Sequence, residues 1–391
     1  MGGGRTMGDT MKDFPIESTQ PLAVLRAMID SVDRDVLQLL ARRNGLVTEV
    51  AQVKREHGLG IRDFKREREI LKDRGERGVS LGLSPQVIES VFRLVLWGSR
   101  DRQAALKAEV PLNSEPRTVA VIGGKGSMGR CMVEFFGDLG HATMVVDLDT
   151  SLSIEEAASM ADVVVISVPI DVTVDVIHRV GPLVRPDALL MDITSVKSGP
   201  LKAMMESCTG SVVGTHPLFA PSVHSLQGQR IVLCRGRGND WFDWLWKMFH
   251  ARGLVAMESS PQDHDRAMAV VQVLIHFATE VMGKTLVRLG VDIEETLRFT
   301  SPVYLMELLM TARHFAQSSE LYGSIQMSNP ATPKVTAAFV DAAQSLQKIL
   351  SDHDDDAFRA TFEEVRQFFG PFTDQALEQS SFLIDRLVER T

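Results

Sequence analysis

The chain of 391 residues predicts an α/β doubly wound, mostly parallel sheet at its centre, with an all-helical domain ahead of it and another behind. Three observations predict this. Thr118 to Thr150 reads as strand, glycine turn, helix and strand. Further β-rich runs at Val163 to Val168, Ala188 to Ile193, Ser211 to Gly214 and Arg230 to Cys234 alternate with helical segments. The flanking stretches carry apolar residues at helical spacing. Such alternation implies right-handed crossovers and ligands held at the carboxyl ends of the strands.

The first residues, 1–19, lack the apolar core of a signal peptide and read as a disordered tail. With 44% hydrophobic and 24% charged residues the composition is that of an ordinary soluble protein. The net charge of −9 argues against nucleic acid or an anionic membrane as main partner, so an anionic substrate must be held by local basic residues. Cys131, Cys208 and Cys234 are odd in number and widely spaced, which indicates neither a disulfide framework nor a metal site. No apolar run reaches the roughly 18 residues needed to cross a bilayer, and the cytoplasm is the expected location.

From Pro21 to His57 the apolar positions Leu25, Ile29, Val32, Val36, Leu39, Leu46, Val50 and Val53 predict one helix. Ser18, Thr19 and Pro21 supply start signals and Gly58 the stop. At 1.5 Å per residue it would be roughly 55 Å long, more than a unit of this size can bury alone. A partner chain is expected along it. Arg43 and Lys54 fall on the apolar stripe, almost three turns apart, while Arg26 points about 100° away. Either a ligand or carboxylate lies between the two cations, or Lys54 snorkels and Arg43 pairs with a neighbouring acid. Asp63 can cap a short second helix with Arg66 and Glu67 in its first turn, where a charge run is most often a solvated face. Ser84-Pro85 starts a third helix, which ends with Ser99 and Gln103 one turn apart.

Residues 20–104 resemble the all-helical chorismate mutase domain. The residues that carry the resemblance are LRxxID from Leu25, LLARR ending at Arg43, VxxxK ending at Lys54, and RDxxRERE from Arg62 to Glu69. It implies that Arg26, from the partner subunit, joins Arg43 and Arg66 in gripping the two carboxylates of chorismate. Lys54 and Gln103 would bond the ether oxygen, and Asp63, Glu67 and Ser99 would hold hydroxyl and backbone groups. The residue types suit a unimolecular rearrangement to prephenate, which needs a held conformer and fixed positive charge at the breaking C–O bond. Trp97-Gly98 is unusual in the third helix, and the glycine would weaken it by about 1 kcal/mol.

A proline-bearing stretch without periodicity marks a linker at 105–116. In the domain expected over 117–260, Gly124 would allow a tight turn and Gly126 would let backbone N–H groups approach a pyrophosphate. Ser127 and Met128 open the helix whose N-terminus faces the phosphates, and Gly129 would seat that helix close to the sheet. Asp147, at the next strand tip, would bond ribose hydroxyls and repel a 2′-phosphate, which favours NAD over NADP. His216, just beyond a strand end, could act as a base near neutral pH, although a lone loop histidine is more often structural.

The order SVP, TSVKSGPL, GTHPLFAP closely resembles prephenate dehydrogenase, and together the two resemblances point to a bifunctional mutase–dehydrogenase. The resemblance assigns His216 to the 4-hydroxyl of prephenate, Ser167 to support of that histidine and the nicotinamide, and Lys197 to a lesser binding role. It implies oxidative decarboxylation, in which hydride leaves C4 as His216 takes the hydroxyl proton. In the helical domain expected over 261–391, Asp263 to Leu289 is apolar and includes His264, Gln272 and His276. Its surface reads as a dimer core rather than a cofactor box. Arg313 follows the apolar run Leu305 to Met310 and, by resemblance, binds a prephenate carboxylate. His264 and His276 could touch substrate or the inhibitor tyrosine. Leu305 stands where relatives carry a basic residue after the tyrosine of SPxY. The alternatives are an arogenate dehydrogenase with the mutase unit as dimerisation module, and a catalytically silent NAD-binding tyrosine sensor. The expected assembly is a homodimer.

Overall fold

The computed structural model describes residues 21–56, 63–105, 115–223 and 225–388, in two compact units that part after residue 106. Ser18, Thr19 and Gly58, expected to bound the first helix, lie outside the described residues.

The first unit has three helices: α1 (Leu22–Glu56), α2 (Phe64–Ser80) and α3 (Pro85–Ala105). Asp63 caps α2 as expected, its Oδ1 accepting from the Arg66 N–H at 2.9 Å. Helix α3 packs against both others, yet the buried apolar side chains among the described residues of this unit are Val47, Ala51 and Leu96. The long stripe of α1 stays open: Val32, Val36, Leu39, Leu46, Val50 and Val53 are all exposed. Two short helices cannot cover a 35-residue one.

The second unit begins with β1 (Thr118–Ile122), α4 (Ser127–Asp138), β2 (Ala142–Val146), α5 (Ile154–Met160), β3 (Val163–Ile166) and α6 (Ile170–Val180). It continues with β4 (Leu189–Asp192), α7 (Ser198–Ser207), β5 (Ser211–Pro217), β6 (Arg230–Arg237), α8 (Asn239–Ala251) and β7 (Val255–Glu258). The sheet order is β2-β1-β3-β4-β5-β6-β7, parallel except where β6 runs against β5. Alternate residues serve two cores. Val119 and Val121 pack with Phe135 and Phe136 of α4 and Leu245 of α8. Ala120 and Ile122 pack with Ala157 of α5, Ile177 of α6 and Leu201 of α7. With both faces covered, these strands read as continuous apolar runs.

One boundary differs with consequence for the site. The sequence places the end of β5 at Gly214, but the strand continues through His216 to Pro217 because β6 pairs beside it, His216 opposite Val232. His216 is therefore a buried strand residue, not a loop residue.

The rest is helical: α9 (Pro261–Met268), α10 (Ile275–Leu289), α11 (Ile293–Arg298), α12 (Pro302–Phe315), α13 (Ser319–Ser328), α14 (Thr332–Ser351), α15 (Asp355–Phe369) and α16 (Phe372–Val388). A π-helical segment, Ala269–Leu274, joins α9 to α10 into one rod. Contrary to the sequence expectation, that rod, Pro261–Leu289, is long and apolar enough to cross a bilayer by length and composition alone. Its first turns are anchored to the sheet domain through His264 and Asp265, so it begins inside the folded unit. Val270, Val271, Ile275, Met282 and Val287 along it are exposed, as are Leu309 and Met310 of α12.

Candidate active site

At the carboxyl end of β1 the chain makes the expected glycine turn, but the tight bend falls one residue earlier than predicted. Gly123, not Gly124, has the left-handed φ of +80°, and a Cβ there would lie 2.3 Å from the Ser167 carbonyl oxygen. Gly124 instead packs closely, since its Cβ would stand 2.9 Å from the Val121 carbonyl oxygen. Gly129 seats α4 against the turn, with only 2.2 Å between a Cβ and the Gly123 oxygen. Gly126 caps α4, and Ser127 and Met128 are its first residues, so their N–H groups have no intrahelical partner to the N-terminal side. Such a helix start, capped by a glycine and with no side-chain hydrogen bond to its N–H groups, fits a pyrophosphate. Asp147 follows β2, its carboxylate accepting from the Lys125 N–H and the Leu148 N–H at 2.9 Å each. It keeps further acceptor capacity for ribose hydroxyls.

The next features stand at the carboxyl ends of β3, β4 and β5. His216 is 3% exposed, and its Nδ1 lies 2.9 Å from Nε2 of His264 on α9. His264 Nδ1 lies 2.9 Å from Asp265 Oδ1. Asp265 also accepts from the backbone N–H of Lys197 at 2.8 Å and of Ser198 at 2.9 Å, and its own carbonyl accepts from Asn329 Nδ2 at 2.9 Å. Burial foremost, then the neighbouring His264 and Lys197, hold the His216 imidazole well below its ordinary value, against an upward pull from Asp265. Burial would raise the Asp265 carboxyl, but the hydrogen bonds it accepts outweigh that and hold it at about 2.

Two sequence assignments change here. Ser167, at the end of β3, makes no hydrogen bond to His216; His264 takes the supporting position. Lys197 is fully buried, its ammonium committed to Asp192 in an ion pair, to Thr194 Oγ1 at 3.3 Å and to the Thr215 carbonyl at 2.7 Å. It supports the strand that carries His216 from below instead of presenting a charge to a ligand.

Farther along the rod, Gln272 Oε1 and His276 Nδ1, one turn apart, are buried and have no partner among the described residues. His276 meets the ring of Tyr322 edge-on at 4.5 Å, and Tyr322 stacks on His314 at 4.2 Å. Burial first and His314 second lower the His276 imidazole, while Glu280 pulls it up. Arg313 is exposed on α12, next to buried His314, and the structure does not bring it to His216.

In the first unit Arg43 donates to Ser99 Oγ and to the Val95 carbonyl at 3.4 Å. Burial, then nearby Arg74, lowers its guanidinium. Ser99 and Gln103 are buried on α3. Gln103 Nε2 donates to the Ser99 carbonyl at 3.2 Å, while its Oε1 is buried without a partner among the described residues. Lys54 is half-buried on the same helix as Arg43. Glu67 accepts from Arg100 at 2.6 Å, a partner that sequence reading missed. Arg66 is exposed and paired along its own helix with Glu69 at 3.3 Å, and Arg26 is exposed near the start of α1. These two do not join Arg43 within one chain.

Three family models match in order: chorismate mutase type II over residues 25–104, the prephenate dehydrogenase nucleotide-binding domain over 139–257, and the prephenate dehydrogenase dimerization domain over 260–364. The T-protein of Enterobacter agglomerans is 36% identical over 365 residues, covering 93% of this chain and 97% of that protein. That of Haemophilus influenzae is 32% identical over 369 residues, covering 94% and 97%. Among solved structures, prephenate dehydrogenase from A. aeolicus, in complex with hydroxyphenyl propionate and NAD+, has a TM-score of 0.50 at 17% identity. The likeness covers 65% of this chain and 97% of that one, and speaks for the fold.

Proposed function

The chain belongs to the T-protein family, a chorismate mutase joined to a prephenate dehydrogenase in tyrosine biosynthesis, and from that premise we propose which residues carry each reaction. In the mutase unit Arg43, Lys54, Gln103 and Ser99 line the chorismate site, with Asp63, Arg66 and Glu67 from α2. Arg26 is contributed by a second subunit. Support comes from Gln103 Oε1 and from the ordered Arg43, both turned to the inside of the unit. No acid or base is required, because fixed positive charge beside the ether oxygen lowers the barrier of a unimolecular step.

In the dehydrogenase unit Gly124, Gly126, Ser127, Met128, Gly129 and Asp147 would hold NAD, whose nicotinamide supplies the hydride acceptor. His216 takes the 4-hydroxyl proton through Nε2, since Nδ1 is engaged by His264. As hydride leaves C4 the carboxylate is lost as carbon dioxide and the ring becomes a phenol. Ser167 sits between turn and site, Arg313 binds a substrate carboxylate, and Lys197 supports the site from below. The observation that carries this reading is the burial of His216 at the carboxyl end of β5, which pushes its imidazole well below the ordinary value and so favours the neutral form.

The exposed apolar stripes of α1 and of α10 and α12 support a homodimer. Tyrosine, which shares ring and carboxylate with the substrate, is proposed as feedback inhibitor, and a cytoplasmic location follows from the biosynthetic role. The test is NADH formation from prephenate by wild type and His216→Asn, with chorismate consumption followed in the same samples and tyrosine added in a second series. The expected result is a mutant that loses NADH formation alone, and wild type inhibited by tyrosine. NADH formation surviving in the mutant would overturn the assignment of the base.

A further inference from the structure

We infer that His264 and Asp265 form a proton relay behind His216, so that the proton taken from prephenate ends as positive charge on His264 rather than on His216. The inference rests on His216 being the base, and it concerns where the charge goes next.

The geometry fixes the direction of every hydrogen bond. Asp265 is a carboxylate and can only accept, so the 2.9 Å contact requires the proton on His264 Nδ1. In the neutral ring His264 Nε2 then carries a lone pair. It lies 2.9 Å from His216 Nδ1, which must donate, because two lone pairs at that distance would repel. His216 Nε2 is left as an acceptor, the form a base needs. One carboxylate thus sets the tautomer of a ring it does not touch.

The same chain can move charge. The hydroxyl proton goes to His216 Nε2, and the His216 Nδ1 proton passes to His264 Nε2. His264 then holds protons on both nitrogens against Asp265, and His216 is again neutral with its proton on Nε2. Hydride leaves C4 for the nicotinamide, the bond to the departing carboxylate breaks, and its electron pair completes the aromatic ring, which then stands as a phenolate. The proton returns by the reverse path through His216 Nε2 to the phenolate oxygen, and the phenol leaves with both rings neutral again.

The surrounding charges favour this placement. Asp265 and His264 of α9 and Lys197, ahead of α7, face His216. The Lys197 ammonium bonds the carbonyl of Thr215, next to His216, and opposes a second cation there. Asp192 of β4 is committed to Lys197, and Glu258 of β7 to Arg235. Asp265 is therefore the carboxylate in contact with either ring, and it touches His264. The bonds from the Lys197 and Ser198 N–H groups keep it in place. His264 and Asp265 are positioning residues, because neither is required to touch prephenate.

The first test is histidine 15N NMR of the full-length wild type, with His216 and His264 identified through His216→Asn and His264→Gln. Both rings should be neutral with the proton on Nδ1; an Nε2–H tautomer at His216 would overturn the relay. The second is the pH profile of NADH formation by Asp265→Asn. Its kcat should fall about tenfold or more, with the prephenate KM within about threefold of wild type. Without the carboxylate the histidine pair binds its proton less tightly, so the acid limb should move to lower pH. Chorismate consumption in the same samples should be unchanged. An unmoved acid limb, or a kcat within about twofold of wild type, would reduce the contact to a structural one and overturn the proposal. If His216→Asn itself keeps NADH formation, the base is elsewhere and the relay falls with it. Should Asp265→Asn fail to fold, the tautomer measurement on wild type still decides.

Discussion

His216 shows how little a residue type says without its surroundings. An imidazole in water titrates near 6.5, half-charged where many enzymes work. Here burial, His264 and Lys197 push the value well down, so the ring stays neutral through the physiological range. With His216 as the proposed base the neutral form is the active one, and activity is then lost as pH falls through the lowered value. Dehydrogenase rate against pH should therefore be flat around the ordinary histidine value and drop only below it; a midpoint above it would contradict the burial. Replacing His216 with Asn should cost about 10³-fold in kcat for NADH formation. At the glycine turn, Gly129→Ala sets a methyl group 2.2 Å from a backbone oxygen that cannot rotate away. NAD affinity by calorimetry should fall about tenfold or more, as the α4 N-terminus shifts away from the proposed phosphate position. The existence of the turn and of His216 was legible from local pattern. The tight bend at Gly123 was not, because three glycines stand within four residues and pattern does not say which takes the positive φ. Nor was His264 as the support of His216, since 48 residues and a change of domain separate them.

Elements were legible where a period ran long. Helix α1 was placed to within a residue, and its surplus of apolar positions pointed outward to another chain. The structure leaves that stripe bare, and each Leu or Val covered in an assembly would contribute about 1.5–3 kcal/mol. A charge in the middle should undo it: Leu39→Asp is expected to shift the first unit's contact from dimer toward monomer by analytical ultracentrifugation and to lower chorismate turnover, because Arg26 acts across subunits in the proposed site. Undiminished turnover would remove that role from Arg26. Strand β5 was read too short for a physical reason. Pairing with β6 sustains extended backbone through a Thr-His-Pro sequence whose own preference is weak, and partner strands lie outside any local window.

Across the whole molecule, the two chemistries share a chain but no residues in the proposed sites. Arg43→Ala should abolish most chorismate consumption, by about 10²-fold or more, while NADH formation from added prephenate stays within about twofold. A matched loss of both would show that the units depend on each other. Domain order, the sheet and both helical blocks were all legible, because each has its own hydrophobic period. The relation of Arg313 and Arg26 to their sites was not, since a single chain leaves both exposed.

The π-helical segment between α9 and α10 sets a rule for how this sequence can change length. Six residues, Ala269–Leu274, follow the wider winding, and Gln272 lies among them with His276 just beyond. Each residue of an α-helix turns the chain by about 100°. Wider winding turns less per residue, so these six residues turn the chain about as far as five of an α-helix, and removing Val271 would let the segment relax to ordinary winding with everything after it still nearly in phase with His264. Removing a residue from α9 between His264 and the segment would instead swing Gln272, His276 and the apolar face of α10 by about 100° at once, although none of them had been replaced. A single-residue deletion within these six positions should therefore be far better tolerated than one in α9.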